Sequence, residues 1–191
     1  MARLAMIVIA CTALLAACVT RDPYPEDWAS PDVTLGCPAL DGTFEQVGVE
    51  AGKQSDPKSG SNILLSHILR LNDDLTFAAH ANADRTVLSK SGDMLTIEAR
   101  AGSEVVTSWS IELNEAECEG GWQIYQDARS GIVGSHTNAV TGMAWKKVRL
   151  SRAQDGALVV EATEGGVGAA FLVIPVAGQD SALYRFEARD E

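Results

Sequence analysis

LTIEARAGSEVVTSWSIEL, residues 95–113, decides the fold class. Leu95, Ile97 and Ala99 alternate with Thr96, Glu98 and Arg100. After Ala101-Gly102-Ser103, Val105, Thr107, Trp109, Ile111 and Leu113 alternate with Val106, Ser108, Ser110 and Glu112. A period of two is the signature of strands with one buried face, and the Gly-containing cluster between the runs predicts a hairpin turn.

The pattern spreads outward from that hairpin. Thr43–Val49 predicts a first strand, and Gly121–Gln126, Ala144–Ser151, Ala157–Thr163, Ala169–Val176 and Ala182–Ala188 predict later ones. Ser91-Gly92-Asp93, Gln154-Asp155-Gly156, Glu164-Gly165-Gly166 and Ala177-Gly178-Gln179-Asp180 read as their connections. Residues 50–61 are turn-formers and predict a polar loop. One stretch departs from the period: Leu64, Leu65, Ile68, Leu69 and Leu71 recur at three- and four-residue spacing, with Ser61 or Asn62 as N-cap. This predicts one short amphipathic helix over about 62–71. The expected fold is mainly β, an antiparallel meander closed or half-closed into a barrel-like sheet, with that helix against one side or end.

The first residues have another character. Arg3 is followed by an apolar run from Leu4 to Leu15 broken only by Thr12, and then by Ala16-Ala17-Cys18. This leader is shorter than the roughly 20 apolar residues of a transmembrane span and reads as an export signal. Leu15-Ala16-Ala17-Cys18 resembles the lipobox of bacterial lipoprotein precursors. The resemblance implies a diacylglycerol on the Cys18 sulfur, cleavage before Cys18 and often a third acyl chain on the new amine. Two or more acyl chains anchor a protein stably, each buried methylene contributing ~0.8 kcal/mol. The expected organisation is a signal peptide over 1–17, a lipidated cysteine and Pro-rich tether over 18–36, and a β domain over 37–191. Pro23, Pro25 and Pro31 stand among acids and small residues in the tether, a composition that favours extended chain. Val19 follows the cysteine where a retention aspartate could stand, so the family analogy implies the outer membrane, facing the periplasm.

The chain carries 15 basic against 26 acidic residues, a net charge of −11. Without Arg3, the leader's only charged residue, 14 basic residues stand against the same 26 acids and the balance is −12. This speaks against nucleic acid as a partner. Of four cysteines, Cys11 lies in the leader and Cys18 carries the lipid, leaving Cys37 and Cys118 as an even pair in an exported chain. A disulfide between them is the economical reading. With no nearby CxxC and no histidine at metal spacing, two cysteines make a poor zinc site, and neither a metal nor a cofactor is expected.

The histidines, His67, His80 and His136, belong to no HExxH, HxH or acid–histidine cluster. No GxSxG, Walker or dinucleotide-binding motif sits in a strand–turn–helix setting. Glu164–Gly168 (EGGVG) reads as hairpin geometry. Asp127–Gly142 (DARSGIVGSHTNAVTG) reads as a long polar loop between strands. Long loops are where binding residues concentrate, so Arg129, His136 and Asn138 are the candidate binding residues. Trp109, Trp122 and Trp145 fall on predicted strands and read as core. Lys146, Lys147, Arg149 and Arg152 form a basic run that reads as a solvated strand face.

Cys37-Pro38-Ala39-Leu40-Asp41-Gly42-Thr43-Phe44 resembles the domain opening C-P-x-L-x-G-T-[YF] of small uncharacterised proteobacterial lipoproteins. Cys118-Glu119-Gly120-Gly121-Trp122 and residues 155–188 are similar to the same group, which implies location and no known activity. A second resemblance is to bacterial lipocalins, where Gly42-Thr43-Phe44 stands at that family's Gly-x-Trp. It implies an apolar pocket within a barrel. The leading expectation is therefore a lipid-anchored envelope protein, non-enzymatic, that binds or scaffolds an envelope protein partner. The alternative is a lipocalin-like carrier of a small apolar ligand.

Overall fold

The computed structural model describes residues 24–33, 36–52, 63–70, 80–114, 118–133, 140–170 and 174–189. The chain is mainly β, as the alternation predicts. Its elements are β1 (Gly42–Glu45), β2 (Val47–Glu50), β3 (Ile63–Leu64), α1 (Leu65–Ile68), β4 (Arg85–Ser91), β5 (Met94–Ala101), β6 (Glu104–Glu112), β7 (Cys118–Glu119), β8 (Trp122–Val133), β9 (Val140–Arg152), β10 (Leu158–Ala170) and β11 (Ile174–Phe186). They form two antiparallel sheets rather than one closed barrel: four strands in the order β1-β4-β5-β6, and seven in the order β3-β2-β11-β10-β9-β8-β7.

The β5–β6 hairpin follows the expected alternation. Leu95 faces Ile111 and Ile97 faces Trp109 across the strands, with Gly102 at φ 59° in the turn and a register shift at Ala99/Arg100. Leu95, Ile97 and Ala99 are fully buried. Leu95 and Ile97 join Phe44 and Leu88 from the small sheet, and Tyr125, Val148, Leu150, Leu158, Val160 and Phe186 from the large one, in a single core. Leu65, Ile68 and Leu69 enter the same core from α1 and its end.

The predicted first strand, Thr43–Val49, is two strands. At Gln46 the chain leaves the small sheet, where β1 pairs with β4, and enters the large one, where β2 pairs with β11. The side chain of Gln46 is buried at this crossing. The polar residue that interrupts the run marks the change of sheet. A bridge between Phe44 and Ala188, and the hydrogen bonds Glu45 N–H to Glu187 C=O (2.9 Å) and Arg189 N–H to Thr43 C=O (2.9 Å), stitch the sheets together there.

Four expectations are corrected. The helix is a single turn, not 62–71, because Ile63–Leu64 pairs with β2 and Leu64 is extended at the N-cap (φ −99°, ψ 121°). Sheet pairing outweighs a marginal helical period in so short a segment. The supposed loop Asp127–Gly142 is largely strand: β8 runs to Val133 and β9 begins at Val140, leaving only 134–139 outside the described residues. Glu164-Gly165-Gly166 lies inside β10, and Ala177–Asp180 lies inside β11. β10 ends at Ala170, paired with Ile174 at the start of β11, and 171–173 lie outside the described residues, so the expected strand Ala169–Val176 is divided between two antiparallel strands. β4, with its polar exposed face, carries no reading in the alternation above.

Gly165 explains the misplaced turn. It sits opposite Trp145, and a Cβ there would lie 2.4 Å from the indole. The glycine makes room for a cross-strand aromatic, a pairing that also steadies a glycine within a strand.

Candidate functional site

Three features could carry function: the N-terminal segment, a buried polar cluster, and the far end of the β8–β11 sheet. Cys18 lies outside the described residues. The segment that follows it does not remain a free tether throughout, since residues 24–32 dock on the outer face of the large sheet. Tyr24, Trp28 and Ala29 pack against a second apolar cluster of Ala51, Trp122, Ala153, Ala157, Val159 and Leu183. Tyr24 Oη donates to Ala29 C=O (2.6 Å), and Trp28 stands edge-on to the Tyr24 ring at 6.0 Å. Asp32 N–H bonds Arg152 C=O (2.6 Å), and Gln154 N–H bonds Ser30 C=O (3.0 Å). Two of the residues that favoured an extended chain, Pro25 and Pro31, serve here as a turn acceptor and as a bridge to Ala153.

Gly121 lets this segment approach. It has φ 80°, and a Cβ would lie 2.7 Å from Asp32 C=O. Gly121→Ala combines left-handed strain with a backbone clash, and should cost about 1–3 kcal/mol. Limited proteolysis should then cut within residues 24–33 faster than in the parent. Unchanged cleavage would show that the segment docks without this contact.

Cys37 and Cys118 form the expected disulfide, with Cα atoms 5.2 Å apart. From Cys37 the chain crosses one end of the core, burying Leu40, to Asp41, whose carboxylate accepts from Lys90 N–H at 2.7 Å. The crosslink thus pins this end segment to β7, the last strand of the large sheet.

The buried polar cluster surrounds the crossing at Gln46. Its Nε2 donates to Ser66 Oγ (2.5 Å) and to His80 C=O (2.9 Å), and its Oε1 accepts from Thr86 Oγ1 (2.5 Å). Ser66 Oγ lies 2.9 Å from His80 Nδ1, and the His80 ring meets His67 and Trp109 edge-on at 5.7 and 5.9 Å. Gln46, Ser66, His80 and Thr86 are all sealed from solvent. A hydroxyl beside an imidazole is the start of a nucleophile–base pair, but here it ties α1, His80 and β4 to the sheet crossing. Tyr125 adds a further tie from β8, donating to Leu69 C=O at 3.1 Å. Burial holds its hydroxyl well above the ordinary phenol range, so it stays a neutral donor.

The basic run disperses. Arg149 pairs with buried Glu161 (2.5 Å) and stacks over Trp122 at 4.8 Å. Arg152 lies over Phe44 at 4.8 Å and donates to Asp41 C=O. Lys146 pairs with Glu164 at 3.1 Å. Arg185 binds Asp155 and Glu187, each at 2.8 Å, and its hydrogen bond draws the Asp155 carboxyl below its ordinary range. Of the three expected core tryptophans, Trp122 is buried in the second cluster, while Trp109 and Trp145 are half-buried.

The core ends at the cross-strand row Tyr125–Val148–Ala162–Ala182. Two residues farther, the register aligns Asp127, Lys146, Glu164 and Asp180. Beyond this charged row four strands continue as an arm. Met143 and Val167 face each other across β9 and β10 and are about half exposed, and Ala177, paired with Val167, is exposed as well. Arg129 is on this arm, in β8 opposite Ala144. His136 and Asn138 lie outside the described residues. The charge row was legible only once the registers were known. Comparison with known protein families, with characterised proteins and with solved structures finds no match to this chain.

Proposed function

We propose that this chain is a lipid-anchored protein of the bacterial cell envelope that binds or scaffolds a partner and performs no catalysis. The observation that carries the reading is Leu15-Ala16-Ala17-Cys18 at the end of an apolar leader. The docked segment supports it. Only five residues separate Cys18 from Tyr24, a reach of at most about 20 Å, so lipid on Cys18 would hold the β9–β10 turn close to the membrane surface. The arm lies at the other end of strands of 13 residues, about 40 Å away, where it would be presented to the periplasm. Among the described residues, no helix is long and apolar enough to cross a membrane.

Surface binding suits the interior better than carriage does. Phe44, Phe186, Leu40, Leu65, Leu69, Leu88, Leu95 and Ile97 are fully buried in one cluster where a carrier would keep its ligand. The Ser66–His80 pair is sealed and committed to structural hydrogen bonds.

Intact mass of the protein extracted from a Gram-negative envelope tests the anchor. The expected species begins at Cys18 and carries acyl chains, and Cys18→Ser should move the protein from the membrane pellet to the soluble fraction. A chain that still begins at Met1, or one cut without added lipid, would overturn the reading.

A further inference from the structure

We infer that the outer edge of β8 is a self-association surface, on which a second copy of this chain adds its own β8 antiparallel. The edge is long, and beyond β7 it carries no further strand among the described residues. β7 covers only Trp122 and Gln123, and from Ile124 to Val133 no other strand among the described residues pairs with that side. An unpaired edge of this length is a template for strand addition unless charge, proline or a bulge blocks it. Residues 124–133 (IYQDARSGIV) contain no proline, and β8 pairs with β9 without a register shift.

Charge selects the occupant. With a net charge of −11, two copies repel over most of their surface, whereas Asp127 and Arg129 stand two residues apart on this edge. A two-fold axis perpendicular to the sheet brings residues of the same face opposite one another, so the paired positions sum to an even number. Centring the axis on Asp127 or on Arg129 sets like charges against each other, which destabilises a strand pair. Centring it on Ala128 sets Asp127 opposite Arg129 of the second copy, and Arg129 opposite its Asp127. The same register sets Ile124 opposite Ile132 and Gln126 opposite Ser130. It pairs residues 124 to 132 and stops just short of the positions β7 covers. The arms of the two copies then form one continuous sheet of eight strands. Arg129, the only acidic or basic residue in the four strands distal to the charged row, has its partner in this register. The inference does not depend on the lipid anchor.

Sedimentation equilibrium of the purified full chain in density-matched detergent tests it. The expected result is a monomer–dimer equilibrium that weakens at least about tenfold in Asp127→Arg and in Arg129→Asp, since each sets like charges opposite across two symmetry-related pairs. Mixed together, these two variants carry complementary charges and should form a heterodimer. Ala128→Cys gives a second readout: its thiols oppose each other at the axis and should crosslink on oxidation. A parent that stays monomeric across the dilution series, or a dimer indifferent to both charge changes, would overturn the inference. Failure of the mixed variants to pair, when each retains the parent's circular dichroism, would do so as well.

Discussion

Replacing both Cys37 and Cys118 by alanine should lower the unfolding free energy by about 4 kcal/mol. The crosslink closes a loop of 81 residues, and the loss of loop-closure entropy from the unfolded chain at that length corresponds to roughly 4–5 kcal/mol. The geometry makes the crosslink matter in the folded state too. β6 and β7 are the terminal strands of their respective sheets and do not pair with each other. The loop contains all of the small sheet and α1, so the disulfide is a covalent tie between that part of the chain and the far edge of the large sheet. The double substitution avoids leaving a free thiol. Urea titration with a linear extrapolation reads the difference, and reduction of the parent should shift its midpoint in the same direction. A doubly substituted chain as stable as the parent would show that the pair closes no loop of consequence.

Phe44→Ala should cost about 3–5 kcal/mol, the range for emptying a buried aromatic site. Phe44 is fully buried. It lies in β1 opposite Thr86, bridges to Ala188 beyond β11, and has the Arg152 guanidinium over its ring at 4.8 Å. Its removal opens a void where the two sheets meet and leaves Arg152 without that aromatic face. Collapse into the void is resisted by the backbone hydrogen bonds that hold Glu45 to Glu187 and Arg189 to Thr43. Phe44→Leu, which keeps most of the volume, should recover the larger part of the loss. Equal urea midpoints for Phe44→Ala and the parent would mean that the sheet junction is not packed as described.

Much of the β structure was legible in single stretches. Leu95, Ile97 and Ala99 alternate with polar residues and are buried. Ser91-Gly92-Asp93, Ala101-Gly102-Ser103 and Gln154-Asp155-Gly156 sit at hairpin turns, with Gly92, Gly102 and Gly156 at positive φ. Glycine misled where its reason was tertiary. Gly165 and Gly166 resemble a turn because turns are the commonest local use of paired glycines. Their position in β10 follows from neighbours on β9: the Trp145 indole over Gly165, and Met143 C=O 3.1 Å from where a Gly166 Cβ would be. The candidate loop failed in the same way. Small and polar residues in Asp127–Val133 look like irregular chain until residues 140–146 of β9 supply their partners.

By itself, the sequence determined the strand period, three of the tight turns, the acidic balance, the cysteine pair and the lipobox-like leader. Each of these is a property of a residue and its near neighbours in the chain. Only the tertiary structure decided that Gln46 divides the first strand between two sheets, that residues 24–32 dock beside β9, and that Asp127, Lys146, Glu164 and Asp180 share one row. Those outcomes depend on register between segments tens of residues apart. A shift of one residue would turn every side chain to the opposite face, so they are settled by the burial of the common core, which no local pattern encodes.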